Sequence, residues 1–500
     1  MKKMMTNIKT LAALLIASAT FAACSNDDNI IGEQPAAPSQ QTYTMTVNAS
    51  KGGDATTRAL SLDGKALNAT WAEGDKVKVY NSSNAEIGEL TAETSGASTK
   101  LKGDLSTLPT DGETLTLKFL SPSYASQNGT IAHIAANCDY ATATVTATVS
   151  GSAVTATDAN FENKQAIVKF SLTDKTTTSA ISATQLVVND GTTDYTITPA
   201  SATSEIYVAL PGFSGQTVTL TATAGGNTYS YEKTGVSFTN GQYYEIGVKM
   251  SPIISLSGRT KYDDELVIPD GYIVTGYAVS LSCKVAVADG ATVTLRDVEN
   301  TGEFGSGSAC PGIKCLGDAT IILEGNNTVM GGGTYAGIYV PEGKTLTIRG
   351  TGSLTVTGGS GGAGIGGNNE GNCGSIVISG GTITATGGSG GAGIGLGYSS
   401  GCAFGDITIS GGTVTATGSG NAPGIGGPYA NFQNITITDG VTKVTVSKGS
   451  SSPYSIGTSE IDEYGYYGAI TIGGTVYFND GSFENDGDSY LQTSPLVYQP

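Results

Sequence analysis

Charge is scarce in this chain, and what there is leans one way. Only 14% of the 500 residues are charged, and 43 acids face 25 bases. The resulting net charge of −18 would repel a phosphate backbone, which argues against nucleic acid as a partner. Histidine occurs once, at His133, so a multi-histidine metal site is excluded, and that residue is expected in a loop or strand. The 7 cysteines show no C-x-x-C spacing, which argues against zinc. Proline is low at 15, and helix-favouring runs of Ala, Glu, Leu and Lys are nearly absent. No metal or cofactor is expected. What is abundant is glycine, 72 residues of it, between short alternating runs of Thr, Val and Ile. That pattern predicts an all-β protein, and 500 residues are too many for one core.

Residues 1–23 read as a signal peptide. Lys2, Lys3 and Lys9 form a basic start, and the apolar run from Leu11 to Ala23 is too short to span a bilayer. Cys24, followed by Ser25-Asn26-Asp27-Asp28, resembles the acylated cysteine and surface-export signal of Gram-negative lipoproteins, with Phe21 departing from the usual aliphatic residue. The alternative is an ordinary secreted protein cut nearby. Residues 24–42 form an acidic, Pro-rich tether. The resemblance implies an outer-membrane, cell-surface location through a lipid anchor. Stable anchoring then requires more than one acyl chain.

Residues 43–250 alternate like half-buried antiparallel strands. Met45 and Val47 share a face, as do Val77 and Val79, and Leu115, Leu117 and Phe119. Turn signals such as Asp63-Gly64, Asp111-Gly112 and Asn240-Gly241 separate them. Two β-sandwich subdomains are predicted, 43–150 and 151–250, with the weakly hydrophobic stretch near 140–158 as their boundary. Three segments carry a family resemblance. Thr57-Arg58-Ala59 followed by Trp71-Ala-Glu-Gly74-Asp75-Lys-Val77-Lys-Val79-Tyr80 resembles the opening of fimbrillin-like proteins, the subunits and tips of type V pili. Phe161 to Phe170 is similar to the strand opening that family's second subdomain, and Phe238 to Val248 to its closing strand. The resemblance implies polymerisation: proteolytic processing after Arg58 and partnership with other fimbrial subunits by strand donation into an open groove.

Ser251-Pro252 is expected to end the last of these strands. Beyond it, Ile376-Val-Ile-Ser-Gly-Gly-Thr-Ile-Thr-Ala-Thr386 returns 31 residues later as Ile407-Thr-Ile-Ser-Gly-Gly-Thr-Val-Thr-Ala-Thr417. Each copy runs into Gly-Ile-Gly. Weaker copies align Val287, Cys315 and Val340, and the isoleucines of the Gly-Ile-Gly corners (Ile365, Ile394, Ile425, with Ile456) stack as an inward ladder. Residues 253–500 are therefore predicted to form a right-handed parallel β-helix of seven coils with a C-terminal cap. Cys373 and Cys402 precede equivalent strands, which leaves two readings open: a disulfide between neighbouring coils, or buried thiols.

This region is poor in groups that do chemistry. Between Thr351 and Ser450 the only acids are Glu370, Asp406 and Asp439, and the only bases Lys443 and Lys448. No paired carboxylates follow, so no enzyme is expected; a β-helix polysaccharide lyase or hydrolase is the alternative. Glycine runs such as 387–391 lack the lysine and following helix of a phosphate loop. The acid-rich tail (Glu460, Asp462, Glu463, Asp480, Glu484, Asp486, Asp488) reads as an edge-protecting cap more than as a calcium site. Tyr335, Tyr339, Tyr398 and Tyr429, together with Tyr464, Tyr466 and Tyr467, are candidates for stacking on sugar rings. The expected role is a fimbrial tip, accessory subunit or adhesin contacting a glycan or host surface protein; a ligand-free structural spacer is a further alternative.

Overall fold

The computed structural model describes residues 42–51, 61–63, 66–259, 264–278, 284–301, 309–398, 401–461 and 465–500. Cys24, Arg58, Asp462, Glu463 and Tyr464, with the signal segment and nearly all of the tether, lie outside the described residues. The chain is all-β; Ile131–Asn137 and Gly487–Gln492 are its two short α-helices among the described residues. His133 sits on the first of these, not in the loop or strand expected of it. Thr130 caps that helix, its hydroxyl accepting from the His133 N–H, and Ile134 points into the core.

The first unit closes on itself. Tyr43–Ser50 pairs with Ser98–Leu105, and the order continues through Glu86–Ala92, Lys76–Tyr80, Thr114–Phe119, Ala141–Ser150 and Ala153–Ala156. Ala153–Ala156 then returns parallel to Tyr43–Ser50. Ala159–Asn160 and Glu162–Asn163 join the same sheet, so the unit runs past the boundary expected at residue 150. The stretch near 140–158 misled because its inward residues are mostly small: Ala141, Ala143, Val145 and Ala147 are buried, with threonines between them. Trp71 fills the centre, edge-on to Phe119 and Phe161 at centroid separations of 5.5 and 5.1 Å.

In the second unit, Ala166–Asp174 lies between Glu205–Leu210, antiparallel, and Tyr243–Ser255, parallel. A second sheet orders Asp194–Ile197, Gln185–Asn189, Phe213–Ala224 and Asn227–Phe238. Tyr243–Ser255 belongs to both sheets. Its first half pairs with Ala166–Asp174, and its last residues pair with Asn227–Phe238. Pro252 does not break it: the ladder holds at Ser230–Ser251 and Thr228–Ile253 on either side, where only the missing N–H matters. The first unit reaches across through Ser126–Gln127, which adds parallel to Asp194–Ile197. Gln127 donates to Ala209 O and accepts from Ala209 N, covering the outer edge of Glu205–Leu210.

The same long strand starts the repeats. Ile253, Ile254 and Ser255 pair in parallel with Ile273, Val274 and Thr275 of the first coil. From there successive coils stack in register. One face is an 8-stranded sheet running from Leu266–Ile268 to Ile456–Thr458, every pairing parallel. The seven-coil reading missed the rung at Leu266–Ile268, although Pro269-Asp270-Gly271 follows it as Ala288-Asp289-Gly290 follows Val287. The expected column Ile365, Ile394, Ile425, Ile456 is present and extends back to Ile338 and Ile313, all buried. Ser375–Thr386 and Ile407–Thr417 each bend in the middle, so one strand serves two faces: Ile378 stacks on Ile409, then Ile383 on Val414. Burying each such side chain is worth about 1.5–3 kcal/mol. The last coil is closed by antiparallel pieces, Thr475–Asn479 against Ile470–Ile472 and Leu496–Tyr498 against Lys443–Ser447.

Candidate functional site: a cleft across the coil corners

At one corner of the stack Cys373, Phe404, Phe432 and Tyr467 succeed one another coil by coil. Phe404 and Phe432 stack at 5.6 Å with planes 14° apart, and Tyr467 and Phe478 complete the cluster. All of these are buried, so Tyr467 is core and not a sugar platform. A cleft of about 320 Å³ lies over this column, lined by Glu342, Gly343, Thr345, Tyr466 and residues 373–375, 403–405 and 431–433. Its walls come from neighbouring coils, because the intercoil spacings here are 31, 28 and 35 residues. It therefore runs along the stack, across the strands.

Polar side chains tie the coils together around it. Asn372 Oδ1 accepts from Ala403 N, Asn431 Oδ1 from Tyr466 N, and Ser375 Oγ from Asp406 N. Asp406 in turn accepts from both the backbone N–H and the side-chain amide of Asn434 at 3.0 and 2.9 Å. Asp439 accepts from the Tyr498 hydroxyl, a bond that pushes that phenol up to about 12. Two of the three acids of 351–450 are thus bound into the architecture. The third, Glu370, stands in a left-handed turn at φ 53° with its N–H donated to Tyr398 O. Among the described residues no group of three His, Cys, Asp or Glu is placed to hold a metal ion. The glycine run 387–391 spends its N–H groups internally: Gly387 on Thr417 O, Gly388 on Gly362 O, Gly391 on Gly388 O.

The tyrosines divide into two kinds. Tyr335 and Tyr339 are half-buried, and burial, with Cys373 and Glu342 nearby, raises the Tyr339 phenol above its ordinary value. Tyr398 and Tyr429 are 49% and 42% exposed and occupy the same repeat position, four residues past Ile394 and Ile425. Tyr429 holds a φ of 49°, a left-handed backbone that is costly for a bulky residue. Tyr466, at the cleft wall, is 67% exposed. The cleft residues Glu342, Ser375, Asn431 and Gln433 were not anticipated. Extending the 31-residue alignment to place Phe404 under Cys373 would have exposed the column beneath them.

Cys373 and Cys402 are both free thiols. Of the two readings left open for them, the disulfide finds no support in the register, which does not set them opposite each other: the residue stacked on Cys373 is Phe404, two places beyond Cys402. Cys402 is only partly buried, with its carbonyl accepting from Asn431 N. Burial pushes the Cys373 thiol far up, and raises that of Cys315 to about 12.

No family model matches this chain, and no curated protein does. Solved structures overlap it loosely. A fimbrial assembly protein from Parabacteroides distasonis is 12% identical over 41% of this chain and 91% of its own, with a TM-score of 0.24. A putative cell adhesion protein from Bacteroides uniformis is 12% identical over 43% and 94%, TM-score 0.25. The shaft pilin SpaA from Lactobacillus rhamnosus GG is 12% identical over 43% and 100%, TM-score 0.20.

Proposed function

We propose that this is a cell-surface lipoprotein of the outer membrane, acting as a fimbrial tip, an accessory subunit or an adhesin. Its architecture on this reading is two fimbrillin-like β-sandwich units followed by a right-handed parallel β-helix. Acylation of Cys24 would tether it, and the coil stack would present a non-catalytic surface to a glycan or a host surface protein. One observation carries the reading: three aromatic rings, Tyr398, Tyr429 and Tyr466, stand exposed on the later coils, where the other rings of the corner column are buried. Exposed rings forgo burial energy, and Tyr429 adds backbone strain; both are accounted for if the rings meet a partner. The commitment of Asp406 and Asp439 to intercoil bonds favours binding over hydrolysis.

Two measurements test it. Antibody labelling of intact cells against the coil stack, followed by electron microscopy, is expected to decorate the surface; labelling only after lysis would contradict it. Mass spectrometry of surface-purified protein is expected to find an acylated Cys24, and a chain beginning at Ala59 in whatever fraction is processed for strand donation. An unmodified Cys24 removes the anchor, and an Arg58–Ala59 bond intact in every copy removes the processing.

A further inference from the structure

The cleft beside Tyr466 has a chemistry specific enough to name the class of its ligand, given the binding role just proposed. Phe404 and Phe432 lie beneath its floor, buried, and the ring it leaves open is that of Tyr466 at its wall. Between these stand polar groups. Among the described residues, the side chains of Glu342 and Gln433 and the amide nitrogen of Asn431 make no hydrogen bond to protein. Ser375 Oγ accepts from Asp406 N and keeps its own O–H to give. Donors, acceptors and an aromatic face together match a ligand with both hydroxyls and apolar C–H surfaces.

Other ligand classes fit less well. A peptide adding as a strand needs unpaired backbone, but the backbone here is spent: Cys373 N donates to Ala403 O, Gly405 N to Cys373 O, and Gln433 N to Phe404 O. An anion would meet the Glu342 carboxylate, the lining's only side chain charged at neutral pH. The nearby Lys344 is held 3.7 Å from Asp289. A volume of about 320 Å³ is at the low end for small-molecule sites, roughly 300–1,000 Å³. Its direction along the stack suits a stretch of a chain more than a compact molecule.

The geometry points to the cleft between Glu342, Thr345 and residues 373–375, 403–405 and 431–433 as a binding site for an uncharged or amino-sugar oligosaccharide, with one sugar ring stacked on Tyr466 and hydroxyls or an ammonium group taken by Gln433, Asn431, Ser375 and Glu342. Acidic glycans, whether sulfated or rich in uronic acids, are disfavoured.

The test uses the whole chain from residue 25 on an array of neutral, amino-sugar, uronic-acid and sulfated oligosaccharides. Neutral or amino-sugar glycans are expected to bind, with Tyr466→Ala weakening them about tenfold and Tyr466→Phe little. Gln433→Ala should weaken them too, while Tyr277→Ala, which removes an exposed ring on an early coil, leaves them unchanged. Glu342→Gln should lower the preference for amino sugars over neutral ones. Glycan binding that Tyr466→Ala and Gln433→Ala both leave intact overturns the cleft as the site without touching the adhesive role. Preferential binding of sulfated or uronic-acid glycans overturns the ligand class. An array blank for every glycan overturns this inference; it leaves the adhesive role standing only if host surface proteins are bound instead.

Discussion

At the scale of single residues, the corners of the coils are set by backbone conformation. Gly366, Gly395, Gly426 and Gly457 form one column with φ between 112° and 131°. A Cβ on Gly395 would sit 1.9 Å from the carbonyl oxygen of Gly426 in the next coil. Gly395→Ala is therefore expected to cost more than about 2 kcal/mol, from the forbidden φ and the backbone collision together, measured as a fall in urea midpoint. In the first unit, Glu113 accepts from the Ser82 hydroxyl, Ser82 N and Thr110 N, which holds its carboxyl down near 2. A carboxyl depressed on folding stabilises above its unfolded value near 4.5 and loses that contribution as pH falls toward 2. Glu113→Gln should flatten the acid limb of the stability profile across that window and change nothing in slope near pH 7.

At the scale of elements, the aromatic column under the cleft joins four rings, Phe404, Phe432, Tyr467 and Phe478. Phe432 touches rings in both neighbouring coils and in the cap. Phe432→Ala is expected to cost about 3–5 kcal/mol, read from chemical denaturation, and to loosen Tyr466 with it. The register that builds this column also separates Cys373 from Cys402. Alkylation of the unfolded protein without reductant should label both, whereas a disulfide-linked 373–402 peptide pair would show that the stack slips by two residues in solution. The repeat itself was legible because its isoleucines recur with glycine at fixed offsets, and pairing in parallel stacks like on like. The Cys373 column was not: its members are Cys, Phe, Phe and Tyr, unequal in size and 28–35 residues apart, so no identity marks them. The strand Ala141–Ser150 escaped for a related reason, because alanines bury as completely as valines yet score as weakly hydrophobic.

At the scale of the whole molecule, the units are joined by backbone ladders and not by linkers alone. Tyr243–Ser255 is at once the closing strand of the second unit and the support of the first coil, and Arg296, held by Glu324 of the next coil, donates to Ser230 across that join. A sequence reading places the change of regime near Pro252 and so puts a break where there is a shared strand. Antiparallel strands close the far end of the face that carries Ile470–Ile472, whereas the 8-stranded face ends on Leu266–Ile268 and Ile456–Thr458, each paired on one side only among the described residues. What the coils do present is the exposed Tyr398 and Tyr429, and the cleft with Tyr466. The most direct test of a binding surface without catalysis is to capture glycans on the immobilised chain, elute them and size them. The account predicts glycans recovered at their original length, with capture reduced at least tenfold in the Tyr398→Ala/Tyr429→Ala/Tyr466→Ala variant, about what stacked rings contribute. Recovery of shortened glycans, or capture unchanged by the triple substitution, would contradict it.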